Sequence, residues 1–118
     1  FRRVLFRSVK QHRATLMITV DCGIADGGWA ARIEAETGCA VVITDHHLPQ
    51  GALPRCTAVC NPNRGDCAYP DKALAGVGVA WKLAWATAVV LARRLRAQQA
   101  SKKRRRNTND HSQNPCVF

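Results

Sequence analysis

The triplet Asp45-His46-His47 concentrates more potential chemistry than any other stretch of this sequence. One carboxylate and two imidazoles suit a divalent first-row ion such as manganese or zinc, whereas magnesium favours sites richer in oxygen. A second acid, Asp21, is followed at once by Cys22 and Gly23. Adjacent side chains leaving a strand point in different directions, so His46 and His47 are expected to divide the work. One ligates; the other, with an ordinary pKa of about 6.5, contacts a phosphate or donates a proton. Asp45 is placed to orient a ligating histidine. A plain polar turn uses the same residue types, and it is the second acid that favours a site.

Both acids end short apolar runs, Leu16-Met17-Ile18-Thr19-Val20 and Ala40-Val41-Val42-Ile43-Thr44, which read as buried strands of a parallel sheet. In open α/β sheets ligands collect beyond the carboxyl ends of strands. Between the runs, residues 26–37 read as a helix capped by Asp26 and ended by Gly38, with Trp29 and Ile33 on its apolar face and Arg32, Glu34 and Glu36 elsewhere. Strand, helix, strand is a right-handed crossover unit, which brings Asp21 and Asp45 to one edge. Residues 57–60 read as a third strand. Asn61-Pro62-Asn63 closes it, chiefly as a structural turn, with the asparagines near enough to touch the site.

After a polar loop over 64–73, a long helix is expected from Leu74 to about Ala97, with Leu74, Val77, Trp81, Trp85, Ala88, Leu91 and Leu95 at helical spacing. Gly76 and Gly78 each cost roughly 1 kcal/mol inside a helix relative to alanine. Close packing of the first turn is the expected reason, and backbone amides offered to an anion are the alternative. The uncharged run over 83–92 is about half of the roughly 20 residues a membrane span needs, so no membrane is expected.

Val20-Asp21-Cys22-Gly23-Ile24, Ile43-Thr44-Asp45-His46-His47-Leu48-Pro49, Asn61-Pro62-Asn63 and Leu74-Ala75-Gly76-Val77-Gly78-Val79-Ala80 together resemble the DHH phosphoesterases. Order, spacing and wording are most similar to the branch of single-stranded-DNA-specific exonucleases, over about residues 15–95. The resemblance implies an α/β fold, part of a parallel-sheet DHH phosphoesterase domain in the order strand, helix, strand, strand, long helix. It also implies 5′-to-3′ hydrolysis of phosphodiester bonds in single-stranded DNA with two divalent ions, Mn2+ or Mg2+, in the cytoplasm, in DNA repair and recombination. Carried over by position, Asp21 would ligate or bridge the ions and His46 would ligate one. Asp45 would support His46, and His47 would face the scissile phosphate. Asn61, Asn63, Gly76 and Gly78 are weaker substrate-binding candidates. Cys22 stands where the family usually has asparagine, a departure that bears on metal affinity. The earlier Asp-x-Asp-Ala-Asp-Gly strand end and the later acid that the family uses do not occur here, so a catalytically incomplete part of the core is expected.

A chain of 118 residues holds one small domain or a piece of a larger one. The net charge of +10 is uneven: residues 1–14 carry five cations and no acid, residues 98–118 five cations and one acid, and the stretch between is nearly neutral. The ends therefore suggest attraction to polyanions and say little about a basic groove. Residues 1–14 read as an unmatched basic flank, neither secretory signal nor clear helix, and too poor in serine for a transit peptide. Residues 15–97 read as the partial domain and residues 98–118 as a disordered polar tail. Cys56, Cys60 and Cys67 lack the paired spacing of a zinc site and read as buried thiols of a reduced protein. Two rival readings are a hydrolase of short oligonucleotides or small phosphate compounds, and a nucleic-acid-binding module acting through its basic ends.

Overall fold

The computed structural model describes residues 2–25 and 28–111. Its elements are α1 (Arg2–His12), β1 (Leu16–Val20), α2 (Gly28–Thr37), β2 (Ala40–Thr44), β3 (Ala58–Cys60) and α3 (Gly76–His111). The chain divides into two compact units, residues 1–83 and 84–118.

In the first unit the three strands form a parallel sheet in the order β1-β2-β3. Leu16 pairs with Ala40 and Val20 with Thr44, so the residues that follow, Asp21 and Asp45, leave neighbouring strands at one edge. This is the expected fold class and strand arrangement. On one face of the sheet Val41 and Ile43 are fully buried and meet Val9 of α1 and Ala30 and Ile33 of α2, with Phe6, Met17 and Trp29 packed around them. The alternate residues of β1, Leu16, Ile18 and Val20, are about half exposed.

Residues 2–12 form a helix rather than an irregular flank. Leu5, Phe6 and Val9 recur at helical spacing and pack against the core, while Arg3, Arg7 and Lys10 remain exposed. Arg13 ends the helix at φ 49°, its amide donating to Lys10 O and that of Ala14 to Val9 O. That pair of bonds is a Schellman ending, with arginine where glycine is usual. Gly38 closes α2 at φ 69°, and its amide donates to Glu34 O. The Asp26 cap falls outside the described residues.

Glu34 departs from its expected place among the outward residues. Its Oε1 accepts from the Val41 amide at 2.8 Å, the Thr57 amide at 2.8 Å and the Thr57 hydroxyl at 2.6 Å. One carboxylate thereby ties α2 to β2 and to the approach to β3. Periodicity assigns a residue to a helix face, but it cannot report which donors a later loop brings there.

The second unit is the distal part of α3, which continues to His111 instead of stopping near residue 97. Gln, Lys, Arg and Ala have high helix propensity, and no glycine or proline interrupts residues 84–111. Lack of apolar residues removes a packing face without removing this local preference. Val90, Leu91 and Leu95 are exposed, so the apolar spacing of this unit is not used in a core of the described residues. The helix over 76–106 also passes the length and composition of a membrane span, with one 18-residue window of mean hydropathy 1.2, although the uncharged run within it is short.

Candidate metal centre

The carboxyl edge of the sheet is built by turns that share hydrogen bonds. β1 gains one further rung, because the Asp21 amide donates to Thr44 O at 2.9 Å. The Thr44 hydroxyl donates to Thr19 O at 2.6 Å, and the Thr19 hydroxyl to Cys22 O at 2.7 Å. Asp21 then adopts φ 62°, a left-handed conformation that aspartate tolerates better than most residues. Gly23 follows at φ 114°, where a side chain would also press on Ile43. The turn leaves the Asp21 carboxylate 55% exposed.

Asp45 has the opposite surroundings, with its side chain only 1% exposed. Oδ2 accepts from the Ile24 amide at 2.9 Å; Oδ1 accepts from the amides of His46 and His47 and from the His47 ring Nδ1 at 2.6 Å. Burial on its own would raise this carboxyl, but the four donors outweigh it and hold the group below the usual carboxylate range. The hydrogen bond and charge of Asp45 in turn raise the His47 imidazole above its ordinary value. With Nδ1–H committed to Asp45, Nε2 is the ring atom left for other partners.

This corrects the expected pairing: Asp45 orients the ring of His47 and touches His46 only at its amide. His46 Nε2 lies 3.1 Å from Asp21 Oδ1. The two imidazoles stand with centroids 4.6 Å apart and planes tilted by 57°. One donor atom each from Asp21, His46 and His47 lies within 4.8 Å of the others, so His47 joins the group from which its strand position had been expected to divide it. Two imidazole nitrogens and a carboxylate fit a divalent ion with nitrogen affinity, manganese more readily than magnesium.

The weaker candidates divide by role. Asn61, buried, donates from Nδ2 to His47 O at 2.9 Å, and Asn63 donates to His46 O at 2.6 Å. Asn61 Oδ1 also accepts the Asn63 amide at 2.7 Å. These amides hold the backbone of the histidine pair instead of standing open to a substrate. At Gly76 an added Cβ would sit 2.0 Å from Asp21 Oδ1, so the missing side chain is what admits the first turn of α3 beside that carboxylate. At Gly78 the same test meets only Leu74, a neighbour one turn earlier. The loop that carries these contacts is fastened by Arg64, which donates to Val59 O, and by Lys72, which donates to Pro62 O and Cys67 O.

Thr19, Thr44 and Ile24 were missed as contributors. A threonine near the end of each strand was a readable signal for the first two; the amide of Ile24 carries none. Cys39 is buried, Cys56, Cys60 and Cys67 are half-buried and Cys22 is exposed, all as free thiols, and none belongs to the three-donor group.

A doubly anchored Asp-His-His edge on a parallel sheet is the arrangement that the sequence motifs anticipate. The chain matches the DHH family, N-terminal domain, over residues 2–110 and belongs to that family. The match takes in the α1 segment and most of α3, beyond the span that motif wording had marked. Among curated proteins the chain is 51% identical over 81 residues to the single-stranded-DNA-specific exonuclease RecJ of Bacillus subtilis, covering 69% of this chain and 10% of that protein. It is 53% identical over 70 residues to RecJ of Dickeya dadantii and 47% identical over 70 residues to RecJ of Escherichia coli, in each case covering 59% of this chain and 12% of the relative. The chain thus spans about a tenth of the length of these relatives. No solved structure matches it.

Proposed function

We propose that this chain forms part of the catalytic core of an exonuclease that hydrolyses phosphodiester bonds of single-stranded DNA from the 5′ end. The convergence of Asp21, His46 and His47 within 4.8 Å carries this reading. The identity of 51% over 81 residues and 53% over 70 residues to RecJ exonucleases supports the choice of substrate.

Asp21 and His46 would hold a divalent ion, Mn2+ or Mg2+, with His47 beside it; the complete enzyme would use two ions. A divalent ion supplies charge neutralisation at phosphate and a more acidic water. Asp45 is then a positioning residue rather than a catalytic one: it fixes the His47 tautomer and turns Nε2 outward, where a protonated ring can donate to a phosphate oxygen. Asn61 and Asn63 keep the two histidine carbonyls in place, and Gly76 lets the start of α3 approach Asp21. Two protein donors leave most of an ion's coordination to water, so the chain alone is expected to bind an ion without reaching nuclease geometry. Its free thiols suit a reducing, cytoplasmic setting.

The test is a manganese titration by calorimetry of the wild-type chain, Asp21→Ala and His46→Ala, beside an assay for degradation of single-stranded DNA. Binding by the wild type, its loss in both variants and no degradation are expected. Wild-type heats unchanged in both variants would remove the ion from this edge, and manganese-dependent degradation would overturn the incomplete-core reading.

A further inference from the structure

A cavity of about 990 Å³ lies between α1 and α2, away from the histidine pair, lined by Arg3, Phe6, Arg7, Lys10, Trp29 and Arg32. The four cations are exposed and the two aromatic rings half-buried. Arg3, Arg7 and Lys10 follow one another at four and three residues, so they stand in one row on α1 about 5–6 Å apart. Arg32 faces them from α2; Lys10 Nζ lies 4.5 Å and Arg32 Cζ 5.8 Å from the centroid of Phe6. Arg32 also pairs with Glu36 along its own helix. Arg3, Arg7 and Lys10 form no ion pair with a described residue. Like charges at these spacings destabilise a helix, a cost that a bound polyanion removes.

We propose that this groove binds the sugar-phosphate backbone of a single-stranded nucleic acid, as a second contact separate from the Asp21–His46 edge. A positive groove with aromatic surface along it is the combination that holds single strands: cations track the phosphates while rings stack with bases. Phe6 and Trp29 supply such surface at the groove floor. Only residues 13–15 join α1 to β1, and α2 follows β1, so both helices that line the groove are joined to the strand that ends at Asp21. For its choice of nucleic acid the inference rests on the exonuclease reading, and it adds to it a binding surface that no metal ligand forms.

The experiment is fluorescence anisotropy of a labelled oligothymidylate with the full chain, in chelator, across a salt series. It compares the wild type with Arg3→Gln/Arg7→Gln/Lys10→Gln and with Lys102→Gln/Lys103→Gln/Arg106→Gln as a control of equal charge. Glutamine keeps helix propensity, and circular dichroism checks that each variant is folded. Each single-strand phosphate contact contributes about 0.7 to the slope of log affinity against log salt, so the groove variant should lower that slope by about 2 and weaken binding at low salt at least about tenfold. The control should lose clearly less. A groove variant that loses no more than the control overturns the proposal. So does displacement of the oligonucleotide by polyglutamate at equal charge concentration, which would give the groove to an acidic protein segment. Manganese calorimetry reports on the ion site separately, so failure of one reading is distinguishable from failure of the other.

Discussion

Two aspartates leave neighbouring strands at the same level of the sheet, yet they meet opposite surroundings. Asp45 is buried and accepts four hydrogen bonds, while Asp21 is more than half exposed in a left-handed turn with His46 across from it. Position in the register delivers both acids to the edge; burial then assigns them different work. A carboxylate surrounded by donors has no lone pairs to spare for an ion, and one held out by a strained turn does.

Substituting the buried member should have the largest effect. In Asp45→Asn one acceptor oxygen becomes an NH2 group facing N–H donors, so a loss of about 3 kcal/mol in urea unfolding is expected. A loss under about 1 kcal/mol would mean that the buried carboxylate does not organise the edge. Gly76→Ala should come next. Its Cβ cannot share space with Asp21 Oδ1, so either α3 or the carboxylate must shift. Overpacking of this kind costs typically about 1–3 kcal/mol, and calorimetry should also find weakened manganese binding; wild-type affinity would show that Asp21 and the helix start are independent.

Asp21→Gly sharpens the contrast because it should change stability and binding in opposite directions. Relief of the left-handed backbone is expected to stabilise the fold by about 0.5–1 kcal/mol while ion binding disappears. A destabilised variant would mean that the Asp21 side chain supports the turn after all.

The smallest effect concerns Glu34, which lies away from both acids. The Thr57 hydroxyl, together with the Val41 and Thr57 amides, lowers its pKa below 4.5 against the opposing influence of burial. A carboxyl lowered on folding stabilises the protein above its unfolded pKa and loses that contribution as pH falls through the folded one. The melting-temperature advantage of the wild type over Glu34→Gln should therefore be full at neutral pH and shrink below about pH 4.5. An advantage that stays constant down to pH 3 would indicate that Glu34 acts through packing alone.

The same division governs what could be read before folding. Alternation and β-branching mark β1 and β2 residue for residue, and the acids at their ends mark the edge. α1 was missed because its apolar residues are few and sit among cations; the match at 5, 6 and 9 gains meaning only when a sheet face is there to receive it. The distal part of α3 was misread for the converse reason, since a helix needs no apolar face when propensity favours it.

The sequence by itself determined the strand-helix-strand order, the turn residues and the identity of the donors, because these depend on period, backbone preference and side-chain chemistry. Only the tertiary structure decided that Asp45 serves His47, that Gly76 makes room for Asp21, and that cations on α1 and α2 share a groove. Those pairings join residues far apart in the chain, and the distances between them exist only once the sheet has formed.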